Sequence, residues 1–269
     1  MNSRTLSRLP FFVVTALLFL ASCGQRKNQA LAEQPKPLDP VIQQLISNMV
    51  TIEGGSFMMG ARTFEEKSIG GNNEPLHYVT LSTFLLGRYE VTQAEWAAVM
   101  ESNPSYHQGD MLPVERVTHR QVLEFIDRLN EMTGMQFRLP TEAEWEFAAR
   151  GGNKSMGYLY AGSNRAEDVA WCGSDADYQP HIVGTKQPNE LGLYDMSGNV
   201  REMCHDLYNY YTTENQTDPH GPTKSIGALT KNYVTRGGNY MNASNCRVAI
   251  RTHSEIDFFD EMLGFRLAM

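Results

Sequence analysis

From Gly151 to Met241 the chain is so dense in Gly, Pro, Asn, Asp and Ser that neither the 3.6-residue period of a helix nor the two-residue period of a strand persists. A fold containing such a stretch is no helical bundle and no regular sandwich. It needs ordered loops with short strands, and side chains or ions must satisfy the buried backbone groups that regular ladders leave unpaired. Regular structure is concentrated upstream. Thr92 with Glu95, Thr118 with Gln121 and Thr141 with Glu144 each form a capping-box pattern, in which two side chains satisfy each other's orphan backbone N–H groups at a helix start. After Thr118, residues Val122, Phe125, Ile126 and Leu129 share one helical face, and Gly134 ends the run. Three amphipathic, packed helices are thus followed by ordered loops with short strands.

The front of the sequence is of another kind. Arg4 and Arg8 precede an apolar run from Phe11 to Leu20, which is too short to span a bilayer and ends in Leu20-Ala21-Ser22-Cys23. Residues 1–22 are therefore expected to be a secretory signal. The cysteine after small residues resembles the lipobox of bacterial lipoproteins, which implies cleavage before Cys23 and its lipidation. Residues 23–47 are mostly polar, contain Pro35, Pro37 and Pro40 and lack aromatics, and so predict a lipidated Cys with a flexible tether. Residues 48–269, about 220 of them without internal repeat, suffice for a single domain burying roughly 70% of its unfolded surface.

Removal of residues 1–22 leaves 21 basic against 31 acidic residues, a balance of −10. With no basic run, nucleic acid is not an expected partner. Beyond the leader no apolar stretch spans a bilayer, so lipid is the expected membrane contact. Cys172, Cys204 and Cys246 complete the cysteine set without a C-x-x-C pair, which supports neither a zinc ribbon nor a redox motif. One disulfide and one free thiol is the simplest arithmetic.

Six blocks in order carry a family resemblance: Met49 to Gly60, Tyr89 to Trp96, Arg138 to Gly152, Leu191 to Val200, Arg236 to Tyr240, and Leu263 to Arg266. Together they resemble the sulfatase-modifying-factor family, which includes the formylglycine-generating enzymes. The resemblance covers residues 48 to 269 and implies an α+β, C-type-lectin-like fold. Activity does not follow from fold. The generating enzymes hold copper(I) on two cysteines five apart between the fifth and sixth blocks, and copper(I) requires soft thiolates. Here those positions fall on Asn242 and Ala243, and a shifted gap can bring Cys246 onto one of them but not both. Met262 also replaces a family asparagine. Copper is therefore not expected, unless Cys246 meets Cys204 or Cys172 in space and rebuilds a two-thiol site.

The same resemblance implies a calcium site made by Asp195, the carbonyls of Gly198 and Val200, and Glu202, since calcium takes six or more oxygens at flexible geometry. The competing reading has Asp195 capping a turn and Glu202 paired with an arginine. A second family calcium site is not expected, because Val169 stands where relatives have an asparagine although Asp175 matches. Cys204, His205 and Asp206 are adjacent and point in different directions, so they predict no catalytic cluster. Cys204 and Cys246 sit in family blocks that pack near one core, so the resemblance makes them a candidate disulfide in an oxidising compartment. Trp96, Trp145 and Trp171 are expected in the core. Tyr208, Tyr210 and Tyr211, in a polar stretch, are candidates for a binding surface.

These readings converge on a cell-envelope lipoprotein, with no catalytic residue assigned, whose domain is a binding or scaffold module for envelope proteins. Lipoproteins of this family in the gliding and type IX secretion apparatus of Bacteroidetes make such an assembly one implied setting. The residues after Cys23 lack an acidic export run, which favours an outer-membrane anchor facing the periplasm. The alternative is an oxidase of protein cysteine of the formylglycine-generating type.

Overall fold

In the computed structural model, which describes residues 37–61, 75–226 and 231–269, all three Thr-x-x-Glu/Gln patterns open helices. Thr92, Thr118 and Thr141 cap Gln93–Met100, His119–Thr133 and Glu142–Ala149, each with both halves of the capping box formed. Gly134 closes the second of these helices at φ +70°, where a side chain would be strained. Cys23 and the leader lie outside the described residues.

A further helix precedes them. Residues 40–47, assigned to the tether, form α1 (Pro40–Ser47), with the Asp39 carboxylate accepting from the Val41 N–H and Pro40 in the first turn. Ile42 and Leu45 are buried. Their i, i+3 spacing gives one apolar edge, which packs beside α2 (Gln93–Met100) in a core shared with α3 (His119–Thr133). The compact unit therefore begins at Leu38, earlier than the boundary read from composition.

The strands are short: β1 (Met49–Ile52), β2 (Gly55–Met59), β3 (His77–Leu81), β4 (Phe84–Gly87), β5 (Arg201–Leu207), β6 (Gln216–Thr217), β7 (Asn232–Arg236), β8 (Arg251–Glu255) and β9 (Leu263–Gly264). They form a β1–β4 pair, a β2-β3-β6 sheet and a β8-β7-β5-β9 sheet. From Gly151 to Val200 the described chain has no strand, as its composition predicts. The last residues close the molecule. Leu85 and Met269 exchange backbone hydrogen bonds, as do Arg138 and Ala268, and the Gly87 N–H donates to Leu267.

Two apolar cores flank β5. One holds Trp96, Phe125 and Phe265, with the Trp96 and Phe125 rings stacked 5.2 Å apart. The other surrounds α4 (Glu142–Ala149) and includes Trp145, Phe147, Val79 and Val234. Met203 enters the first and Cys204 the second, so neighbours on one strand serve opposite sides. Trp96 and Trp145 are core residues as expected. Trp171 is only half-buried: its ring stacks on His181 at 3.8 Å and the Lys186 ammonium lies 4.1 Å from its centroid.

Candidate functional site: a cavity beside a buried charge lattice

Helix α4 departs from the amphipathic pattern. All eight of its residues are buried, including Glu142, Glu144 and Glu146. Buried carboxylates persist only when paired and hydrogen-bonded, and each of these has an arginine. Glu144 accepts twice from Arg138, at 2.6 and 2.7 Å. Glu146 accepts from Arg150 at 2.9 Å, from the Gly60 N–H at 2.9 Å, and from Arg236. Burial raises its carboxyl, but Arg150 and Arg236 outweigh that and hold it below the usual carboxylate range. Glu142 accepts twice from Arg251 at 2.7 Å and from the Tyr211 hydroxyl at 2.9 Å.

The Glu142–Arg251 pair is a wall of a cavity of about 430 Å³, lined also by His77, Asp206, Tyr210, Tyr211, Gln216 and His220 among others. The Arg251 guanidinium is sandwiched, 4.6 Å from the Tyr208 ring and 4.0 Å from the Tyr211 ring. Tyr210 is 58% exposed at the cavity. The tyrosine run thus divides: Tyr208 and Tyr211 brace the arginine, and Tyr210 is left exposed. Asp206 is buried with its Oδ2 accepting from the Glu142 N–H at 2.9 Å. Burial, then the Glu142 charge, pushes its carboxyl up to about 7. Gly221 lies against it at φ +72°, and a Cβ there would come within 2.6 Å of Asp206, so only glycine fits.

The Cys204-His205-Asp206 run does not converge. Cys204 and Asp206 are buried and His205 is exposed, in a stretch where the β5–β7 register shifts between Met203 and Leu207. The expected Cys204–Cys246 bridge is not formed either: Cys172, Cys204 and Cys246 are free thiols. Cys204 belongs to the α4 core, whereas Cys246 packs with Cys172 in a separate cluster. Sequence spacing cannot distinguish these partners.

Asn242 is exposed and caps the turn Ala243–Asn245, its Oδ1 accepting from the Ser244 N–H at 2.9 Å; Ala243 packs on the Cys172–Cys246 cluster. A cavity of about 260 Å³ beside this segment is lined by Arg236, Gly238, Asn239, Asn245 and His253, with no cysteine among its lining residues.

Of the four positions matched to calcium, Glu202 is paired with an arginine, as in the competing reading. Both Glu202 oxygens accept from Arg266 at 2.6 Å, and one also from the Trp145 indole N–H at 2.6 Å. A guanidinium occupies the place a cation would need. The Val200 N–H donates to Glu90, and the Gly198 N–H donates to Gly237. Asp195 accepts from the Gly184 N–H through Oδ2 while its Oδ1 has no partner. Burial, opposed by that hydrogen bond and by Arg266, lifts the Asp195 carboxyl to about 6. Among the described residues no group of three or more His, Cys, Asp or Glu is arranged to hold a metal. Asp175 of the second family site is paired with Lys186.

The sparse strands, the loop-rich second half and the arginine-paired α4 define a sulfatase-modifying-factor fold. Residues 36–269 match the sulfatase-modifying factor enzyme 1-like domain, and the chain belongs to that family. It is 31% identical over 259 residues to the chaperone protein LppX of Paenibacillus barcinonensis, a match covering 78% of this chain and 84% of the relative. With the formylglycine-generating enzyme of Streptomyces coelicolor it shares 38% identity over 288 residues, covering 81% and 88%. Among solved structures, Treponema denticola variable protein 1 aligns with a TM-score of 0.72 at 29% identity, over 82% of this chain and 94% of that one.

Proposed function

We propose that this domain is a non-catalytic binding module, tethered through Cys23 to the outer membrane facing the periplasm, and that its ligand is a segment of an envelope protein held in the cavity beside Arg251. One observation carries the reading: Asn242 and Ala243 stand where the resemblance puts the copper-binding thiols, and no cysteine lines the 260 Å³ cavity beside them, whereas a cysteine oxidase needs thiolate donors at its ligand site. The chemistry of the Arg251 cavity suits recognition. Its arginine is committed to Glu142, Tyr210 offers a flat amphipathic face, and Asp206 and Gln216 offer hydrogen bonds. A surface with a balance of −10 and a carboxyl inside the cavity select against acidic segments. An assembly role of the secretion or gliding type is one setting for such a module. Calcium has no part in the reading, because Glu202 is committed to Arg266.

The test places a photo-crosslinking amino acid at Tyr210 in intact envelopes. A crosslink to one defined partner peptide, lost when Thr212→Trp fills the cavity mouth, is the expected result. A crosslink indifferent to Thr212→Trp would move the binding surface elsewhere. The oxidase remains the second reading, favoured by the contact of Cys246 with Cys172. It is checked by incubating the protein aerobically with copper and a Cys-x-Pro-x-Arg peptide. The expected mass spectrum is unchanged, and a thiol-to-aldehyde loss abolished by Cys246→Ser would restore the enzyme.

A further inference from the structure

Cys172 and Cys246 are brought together by backbone that leaves them little freedom. On one side, the Asn199 N–H donates to the Trp171 carbonyl at 2.9 Å and the Gly173 N–H to the Tyr240 carbonyl at 2.7 Å, so the peptide groups before and after Cys172 are both pinned. On the other, Gly238 at φ +71° lies so close that a Cβ would come within 2.8 Å of the Cys246 Cα and 2.5 Å of the Asn245 carbonyl oxygen. Only glycine lets the two segments approach. Cys246 is 0% and Cys172 5% exposed, and they share a small apolar cluster with Val169 and Ala170. The two thiols bias each other's ionisation, Cys246 lowering the Cys172 thiol and Cys172 raising that of Cys246. The Cys246 sulfur also lies 3.4 Å and 3.3 Å from the carbonyl oxygens of Asn239 and Asn242.

We propose that Cys172 and Cys246 are a disulfide-forming pair, closed by exchange with a small-molecule or protein disulfide. The Cys172 thiolate attacks one sulfur of the external disulfide, forming a mixed disulfide and releasing the other sulfur as a thiolate. The Cys246 thiol then gives up its proton to that leaving thiolate and attacks the Cys172 sulfur, which breaks the mixed disulfide and forms the Cys172–Cys246 bond. In balance, two protein thiols are oxidised and one external disulfide is reduced to two thiols. The neighbouring Cys246 thiol, and less strongly the Lys186 charge, outweigh burial and the Asp175 and Glu167 charges and hold the Cys172 thiol below the ordinary range, which makes it the attacking partner. The closed loop contains about 70 residues and includes β5, β6, β7 and the cavity residues from Asp206 to Pro222.

The full chain, purified in detergent, is incubated with oxidised glutathione, quenched with N-ethylmaleimide under denaturing conditions, and mapped by protease digestion and mass spectrometry. The expected product is a Cys172–Cys246 linked peptide, two hydrogens lighter than its parts, with Cys204 recovered as the alkylated thiol. A Cys204–Cys246 link, or Cys172 and Cys246 both recovered alkylated, would overturn the proposal. A second measurement is independent of mapping. The oxidised protein should melt roughly 5–10 °C above the reduced one, a difference abolished by Cys172→Ser or Cys246→Ser and retained in Cys204→Ser. Loss of the difference in Cys204→Ser alone would assign the bridge to the wrong pair.

Discussion

Asp206 sets a direction for the pH dependence of stability. Its carboxyl is raised to about 7 in the folded chain against the ordinary aspartate value of 3.8. The folded state therefore holds its proton where the unfolded state has lost it, and the contribution to stability is full below about pH 4 and is lost as pH rises through about 7. Asp195, raised to about 6, acts in the same direction. Asp206→Asn keeps an oxygen for the Glu142 N–H, so it should flatten the fall in stability between pH 4 and 7 and leave the protein up to about 4 kcal/mol more stable at pH 8. Urea titrations across that range decide it, and a wild-type curve that does not fall would refute the assignment. Glu202 gives the opposite kind of effect. In Glu202→Ala the Arg266 guanidinium stays buried without its carboxylate, a loss of about 3–5 kcal/mol. Wild type should melt at the same temperature in millimolar calcium and in chelator; a calcium-dependent rise lost in Glu202→Ala would return the carboxylate to a metal. Asp195 and Glu202 stand out in the sequence as paired acids, yet it is silent on Arg266 claiming one of them, because the partners are 64 positions apart.

At the scale of elements, the capping boxes were the most legible feature, since each is complete within four residues and needs no distant partner. Thr141→Ala should cost about 1–2 kcal/mol and Thr118→Ala about half as much, because the Thr141 cap is buried and the Thr118 cap is exposed to water. Thermal melts of the two variants test the order, and equal losses would contradict it. Helix α4 was legible as a helix but not in its surroundings. Arg138 and Arg150 meet its glutamates from either end of the helix, whereas Arg236 and Arg251 reach them from β7 and β8. Helix α1 was missed although Asp39 and Pro40 are a helix start, because three prolines in a polar stretch weighed more than an apolar edge of two residues.

Across the whole molecule the ordered motifs identified the fold, while the cavity was visible only as a tyrosine run of undecided use. His77, Asp206, His220 and Arg251 reach it from separate segments. The tether is tested at this scale too. Cys23→Ser should release the domain into the soluble fraction or leave an uncleaved precursor, because stable anchoring takes more than one acyl chain; lipid still present on metabolic labelling would disprove the anchor. The closing contacts of residues 266–269 have a consequence for biogenesis. Arg266 donates to the Gly87 carbonyl across 179 positions, and β4 is completed only by Leu267 and Met269. A ribosome, or a translocation pore passing the chain from its front end, delivers β1 to β4 long before the segment that seals them, and non-local closure of this kind is slow. The emerging chain should thus stay protease-sensitive and threadable until residues 266–269 appear, and become resistant in one step after that.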